Sequence, residues 1–276
     1  MATERARALI DSVGPLPVMP SLADELLGLA VSPDADVKRI HAVVERDPVL
    51  TAMVLRLVNS ASFALRNEVS DLGRAVILLG ASHVRSLALA ASMSTTFGRS
   101  SAYGDTWGHA FSVACGARSV AAVVCPEVVE TAFAAGLLHD IGELVLAGLI
   151  EGQPPNDPEP GARLALEFEL VGADHAELGA ALAERWSIPT ALVEAINHHH
   201  DWAVFQKGGL GLPGIIAAAE SVTDTLWEPR HTGATDPVAI LAQLGASDPE
   251  LSFQKISDSI VEHVTSASLP AKGGAR

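Results

Sequence analysis

Leu137-Leu138-His139-Asp140-Ile141-Gly142 is the stretch of this sequence that decides the fold. The apolar residues before it recur at helical spacing and predict a helix over 127–139, and those after it predict a second helix over 143–150. We expect Gly142 to end the first helix, as glycine commonly does. The imidazole and the carboxylate of the stretch then lie together at a helix terminus. The pattern therefore predicts two helices with a chemically active pair at their junction.

Helical patterns continue on both sides of this junction, and strand patterns are nearly absent. Ser, Asp and Pro residues stand where they can cap or begin the helices. In the first hundred residues we predict helices that begin near Ser21, Asp34 and Pro48, and helices over 72–79 and 82–93. In the remainder we predict further helices over 106–125, 162–170, 176–186, 189–198, 213–227, 237–244 and 252–266. The sequence therefore predicts an all-α protein.

The charge distribution divides the chain near residue 100. Residues 1–100 carry equal numbers of acidic and basic side chains, so the whole net charge of −15 comes from the rest of the chain. We therefore expect an N-terminal helical bundle over 1–100 packed on a C-terminal helical bundle over 101–268. The tail over 269–276 is expected to be disordered. A single continuous helical domain is an equally good interpretation of the same pattern.

The composition excludes several classes of protein. Hydrophobic residues make up 49% of the chain and charged residues 18%, which is typical of a folded protein with a large core. The acidic net charge repels phosphate backbones, so we expect no broad nucleic-acid binding. We find no long uninterrupted apolar run and no signal core in residues 1–11, so we expect no membrane segment and a cytoplasmic location. Cys115 and Cys125 lie in an apolar run and suit a reducing compartment.

Histidines are concentrated in one part of the chain. Six of the ten fall between residues 109 and 200, mostly near the ends of predicted helices. Side chains on facing helices can converge in one space between them. Imidazole suits several transition metals, and a carboxylate can add negative charge or bridge two ions. The cluster therefore predicts one or two divalent ions, with Fe, Mn, Zn, Ni and Co as candidates. The alternative is that these histidines are only core or capping residues of an interaction scaffold.

The His139-Asp140 stretch resembles the signature of the HD superfamily of metal-dependent phosphohydrolases. A wider set of motifs resembles one branch of that superfamily, the HD-related output domain (HDOD) family. These motifs lie at 16–20, 47–50, 55–61, 75–80, 174–179, 186–189 and 195–200, within a resemblance that covers about residues 14–227. The resemblance implies a family-specific N-terminal bundle, an HD-like C-terminal bundle and a role as a regulatory output module in bacterial signalling. Many members of the family have lost metal ligands.

The resemblance also implies a set of metal ligands. Transferred position by position, they are His109, His139, Asp140, His175, His199, His200 and Glu220. Glu220 stands where relatives usually have Asp, and Asp224 is a second candidate for that place. If the protein is active, Asp140 would hold the ions and Glu143 would orient a water, which makes these two the candidate catalytic residues.

Two departures from the superfamily weigh against catalysis. Glu143 stands where the signature usually continues with Lys, a cation that helps to bind phosphate. The Gly-Tyr-Pro motif of the cyclic-di-nucleotide branch is missing after His200. The sequence therefore favours a bacterial regulatory protein that acts on a protein partner. Its pocket would bind a metal or a ligand such as a nucleotide, with little or no catalysis. The alternative is a metal-dependent phosphohydrolase or phosphodiesterase acting on a nucleotide or cyclic (di)nucleotide.

Overall fold

The computed structural model of the chain describes residues 3–13, 37–46, 69–80, 104–150, 162–201, 211–227 and 236–267, with single positions at 25, 51, 54, 55, 58, 59 and 84. Every regular element within these residues is a helix, so the all-α prediction is confirmed. The predicted helices near Ser21 and Pro48 and over 82–93, and the predicted tail over 269–276, lie outside the described ranges. The division into two bundles stays a prediction.

The first part of the chain contributes three described helices. They are α1 (Glu4–Ser12), α2 (Val37–Glu45) and α3 (Leu72–Leu79). The second part begins with α4 (Gly104–Val124), a 3-10 turn (Pro126–Val128), α5 (Val129–Leu138), α6 (Gly142–Leu149) and α7 (Ala162–Val171). It continues with α8 (His175–Arg185), α9 (Thr190–His198), α10 (Leu212–Leu226), α11 (Pro237–Gln243) and α12 (Pro249–Ala267). These bounds agree with the predicted helices to within a few residues.

The sequence pattern did not predict α1. Thr3 caps this helix by accepting a hydrogen bond from the backbone N–H of Ala6, and Glu4 lies in its first turn. Only Ala6 and Ile10 are buried. An apolar stripe with only two buried residues is too narrow to give a clear helical period.

The long helix α4 is the centre of the fold, because α5, α10 and α12 all pack against it. Its contact with α5 is close at Gly136, where an added Cβ atom would lie 2.9 Å from the Cα atom of Ala114. Away from α4, α8 packs against α6, α9 and α1. Buried apolar residues from α1 to α12 form one contiguous core, from Ala6 to Ile260. The arrangement leaves α4, α5, α8, α9 and α10 around one interior space.

One segment of the described residues is long and apolar enough to cross a membrane, Pro126–Leu149, with a mean hydropathy of 1.5. The polar pair at 139–140 interrupts it between α5 and α6, and 78% of its most apolar window is buried inside the structure. Such a segment is weak evidence for a membrane span, because the core helix of a folded protein passes the same test. The cytoplasmic location stays a prediction.

Candidate metal centre

The junction between α5 and α6 carries the central carboxylate of the candidate site. Helix α5 ends at Leu138, and α6 already begins at Gly142. Gly142 is not among the described glycines with positive φ, so it does not end α5 with a left-handed cap as we expected. Instead, a Cβ atom at Gly142 would overlap the carbonyl oxygen of His175 on α8. The glycine is required for this backbone contact, which brings Asp140 close to the start of α8.

Asp140 lies at the centre of four histidine rings. Its Oδ2 atom is 3.2 Å from Nε2 of His139 and 3.7 Å from Nε2 of His109. Its Oδ1 atom is 3.5 Å from Nε2 of His175 and 3.6 Å from Nε2 of His199. Asp140 is 2% exposed, and all four histidines are buried. Each carboxylate oxygen therefore faces its own pair of imidazole nitrogens.

Two of these rings are oriented by the ends of their own helices. The Nδ1–H group of His139 donates to the carbonyl oxygen of Gly136 at 2.7 Å, and that of His199 donates to the carbonyl oxygen of Ile196 at 2.6 Å. Both acceptors lie three residues earlier, where a helix C-terminus leaves carbonyl groups without helical partners. With the proton on Nδ1, the Nε2 lone pair of each ring faces the interior space.

The third ring, His175, is oriented by a different helix. It is the first residue of α8, and its Nδ1–H group donates to Oε2 of Glu167 on α7 at 2.7 Å. Its Nε2 atom lies 3.0 Å from Nε2 of His200. His175 therefore also presents Nε2 to the pocket, on the side of Asp140.

The structure brings all seven ligand candidates named from the sequence into one pocket. Their donor atoms form three overlapping groups, and within each group all atoms lie within 4.8 Å of one another. The groups are Asp140 with His175, His199 and His200; His109 with His139 and Asp140; and His139 with His199 and Glu220. Asp224 and His198 are members of none of these groups among the described residues.

The pKa values follow from this crowding of charges. Burial lowers the pKa of His199 to about 4, helped by the neighbouring rings of His139 and His175, although Asp140 acts in the opposite direction. Burial also acts to lower the pKa of His139, but Asp140 and Glu220 outweigh it and raise the value. His199 is therefore neutral at pH 7 and keeps its Nε2 lone pair for a ligand.

Glu143, the second of the two candidate catalytic residues, does not join these groups. Its Oε1 atom accepts a hydrogen bond from a terminal nitrogen of Arg163 on α7 at 2.5 Å, and Arg163 Nε donates to Oε1 of Glu167 at 2.9 Å. Burial acts to lower the pKa of Arg163, but Glu143 and Glu167 raise it. The negative charge that the sequence analysis placed at position 143 is thus compensated inside the protein.

Sequence reasoning missed Arg163 and Glu167. Both are buried, although charged residues four positions apart on a helix usually form an exposed pair. Burial acts to raise the pKa of Glu167, but His175 and Arg163 outweigh it and lower the value to about 2. Glu167 is therefore ionised and accepts hydrogen bonds from both neighbours.

The residues present fit a divalent metal ion. The Nε2 atoms of His139 and His199 are buried, and neither makes a hydrogen bond of good geometry with any described residue. Buried polar atoms normally have such a partner, and its lack marks a position for an ion or a water. The donor set of imidazole nitrogens and carboxylate oxygens is the one that Fe, Mn, Zn, Ni and Co accept.

The all-helical fold and the His/Asp cluster at a helix junction agree with the HD-type protein that the sequence resemblance implies. The chain belongs to the HDOD domain family, whose model matches residues 16–202. It is similar to an uncharacterized protein of Treponema pallidum, with 28% identity over 213 residues. This match covers 72% of the chain and 40% of the Treponema protein, so the chain spans about two fifths of that relative's length.

Solved structures share the fold. An HDOD domain protein of unknown function from Geobacter sulfurreducens superimposes with a TM-score of 0.75 at 24% identity, over 96% of each chain. A protein from Shewanella amazonensis described as a candidate phosphohydrolase superimposes with a TM-score of 0.66 at 27% identity, over 96% of this chain and 99% of that one. The first shows the fold alone, and the second extends the likeness to a relative with a named class of activity.

Proposed function

We propose that this chain is a regulatory protein of bacterial signalling whose HD-type pocket binds one or two divalent metal ions, or a ligand through them, with little or no catalysis. The observation that carries the proposal is the orientation of three rings. His139, His175 and His199 each donate Nδ1–H to an acceptor and turn Nε2 toward Asp140. Ligand histidines in metal sites are fixed in this way by a second hydrogen bond.

Asp140 supports a site for two ions. Oδ2 faces the His109 and His139 rings, whereas Oδ1 faces the His175 and His199 rings. A carboxylate placed between two sets of imidazoles can bridge two ions and supplies charge that two dications need. Glu220 adds a second carboxylate beside His139 and His199.

Binding rather than turnover is supported by the surroundings of Glu143. Catalysis on a phosphate ester needs cationic groups aimed at the charge that develops in the transition state. Position 143 carries a carboxylate, and the nearby guanidinium of Arg163 is engaged by Glu143 and Glu167. The charge of Arg163 is therefore compensated by two carboxylates, and position 143 supplies no cation for a phosphate.

Metal content is the measurement that tests the proposal. Protein purified without a histidine tag or chelator should contain one or two transition-metal ions per chain, measured by inductively coupled plasma mass spectrometry. His139→Ala should lose this metal. His263→Ala is the matched control, because His263 lies on α12 outside the three ligand groups. Wild-type protein that contains no metal, and takes up none when Mn, Fe, Co, Ni and Zn are added, would contradict the proposal.

A metal-dependent phosphohydrolase acting on a nucleotide or a cyclic nucleotide is the second candidate. Two observations favour it: the two-sided coordination offered by Asp140, and the likeness to the Shewanella amazonensis protein described as a candidate phosphohydrolase. When bound, a pair of divalent ions supplies Lewis-acid polarisation of a phosphoryl group. This chain's own contribution would be to hold those ions with Asp140 and the surrounding histidines, beside the apolar walls of α4, α5 and α10.

Turnover assays separate the two candidates. Metal-loaded protein is incubated with cyclic mononucleotides, cyclic dinucleotides and nucleoside phosphates, with Asp140→Ala as the inactive reference. If no product forms above this reference with Mn, Fe, Co, Ni or Zn, the hydrolase function is excluded. Retained signalling in cells that carry His139→Ala and Asp140→Ala would instead remove the pocket from the regulatory role.

A further inference from the structure

A line of four buried polar side chains runs from the pocket into the protein. Glu167 accepts two hydrogen bonds from His175 through Oε2, one from the backbone N–H at 2.9 Å and one from Nδ1–H at 2.7 Å. Its Oε1 accepts from Nε of Arg163 at 2.9 Å, and Arg163 donates onward to Glu143 at 2.5 Å. None of the four residues is more than 2% exposed. The line joins α6, α7 and α8 beneath the candidate metal centre.

The position of His175 explains why its partner comes from another helix. His139 and His199 follow helices, so a carbonyl group three residues earlier is in place to accept Nδ1–H. His175 begins a helix, and the turn before it contains Gly172 at a φ of 81° and the extended N-cap Asp174. Glu167 takes over the acceptor role. It also accepts one of the backbone N–H groups that a helix N-terminus leaves without a partner.

We propose that Glu167, held in place by Arg163, is a positioning residue that fixes the tautomer and direction of His175 and makes it a stronger imidazole donor than His139 and His199. The effect on metal affinity rests on the metal-binding function proposed above, whereas the effect on the tautomer does not. A carboxylate that accepts Nδ1–H increases the basicity of the opposite nitrogen more than a neutral carbonyl does. His139 and His199 have carbonyl partners, so His175 alone among these three rings has an anionic one.

Glu167→Gln removes the charge and keeps the shape. The amide oxygen of Gln can accept from only one of the two neighbours, and its NH2 group then faces a donor of the other. The hydrogen bond that selects the tautomer of His175 is therefore weakened or lost. Glu169→Gln is the matched control, because Glu169 is exposed on the same helix α7.

Two measurements on the full chain test the proposal. In the metal-free protein, ¹⁵N NMR of labelled histidines should show His175 protonated on Nδ1 in the wild type and in Glu169→Gln, and a mixture of tautomers in Glu167→Gln. In chelator competition with Zn²⁺ and with Mn²⁺ alone, Glu167→Gln should bind about 10–100-fold more weakly than the wild type. Glu169→Gln should bind like the wild type.

The tautomer and the metal affinity test separate parts of the proposal. An unchanged His175 tautomer in Glu167→Gln overturns the positioning role, whatever the metal result. Unchanged affinity in a wild type that does bind metal overturns the claim about donor strength. A wild type that binds no metal refutes the proposed function, and the tautomer measurement still decides the role of Glu167. If Glu167→Gln does not fold, Arg163→Lys is used instead, since it keeps the charge and loses the forked contact. An unchanged tautomer in that variant overturns the proposal equally.

Discussion

Gly142 and His175 are in direct backbone contact, because a Cβ atom at Gly142 would overlap the carbonyl oxygen of His175. The same Cβ atom would lie 2.5 Å from the backbone nitrogen of Gly179, one turn further along α8. The contact holds the start of α6 against the start of α8. It thereby sets the distance between the carboxylate of Asp140 and the ring of His175.

Gly142→Ala should therefore destabilise the protein, although alanine is the better helix former. The added methyl group has only backbone atoms to displace, so we expect a loss of roughly 3 kcal/mol or more in the free energy of unfolding. Urea denaturation measures it. Gly108→Ala is the matched control, because Gly108 is an exposed helical glycine with nothing within 4 Å of an added Cβ. Equal stability of the Gly142 variant and the wild type would contradict the contact.

The helices of the second half could be predicted from the sequence because their apolar residues recur every three or four positions, and Pro and Gly mark their ends. The helix junction at 139–140 could be predicted from the sequence. The reason for a glycine at position 142 could not, because the backbone contact that requires it is made with a helix more than thirty residues away. Arg163 and Glu167 gave no signal of burial. Their spacing is the usual one of a solvated pair, whereas their buried partners, Glu143 on α6 and His175 on α8, are not visible in that spacing.

Asp140→Asn should remove the metal and leave the fold in place. The amide keeps the size of the carboxylate but lacks the charge that faces four imidazole nitrogens. We expect at least a hundredfold loss of metal affinity in chelator competition, with a circular dichroism spectrum like that of the wild type. Asp258→Asn on the exposed side of α12 is the control and should bind metal normally. Full metal content in Asp140→Asn would exclude Asp140 as a ligand.

The metal-free protein should lose stability as the pH falls below about 6.5. His199 has a folded-state pKa of about 4 against an ordinary value of 6.5, so the unfolded chain binds its proton first and acid favours unfolding. The contribution of His199 to the free energy of unfolding is at most about 3 kcal/mol. It is present above pH 6.5 and is lost as the pH falls toward 4. Glu167 acts in the same direction between pH 4.5 and about 2. His139 has the opposite effect, because its pKa is raised: its contribution to stability is lost as the pH rises above 6.5.

Urea denaturation at a series of pH values checks this dependence. His199→Gln should flatten the segment between pH 4 and 6.5, because the group that takes up the proton is gone. His263→Gln is the control, since His263 is only partly buried on α12. A His199→Gln variant with the same slope as the wild type would show that other groups cause the acid sensitivity.

Arg163→Met should be among the most damaging substitutions outside the ligand set. Arg163 is 2% exposed and separates the buried carboxylates of Glu143 and Glu167, which would otherwise face each other without a cation between them. Removing one partner of a buried ion pair costs about 3–5 kcal/mol. Arg185→Met, which removes a half-exposed partner of Asp11, should cost less than about 1 kcal/mol. Adding Glu143→Gln to Arg163→Met should restore part of the loss, because one of the two uncompensated charges disappears. Equal costs for the Arg163 and Arg185 variants in urea denaturation would show that the buried network does not stabilise this junction.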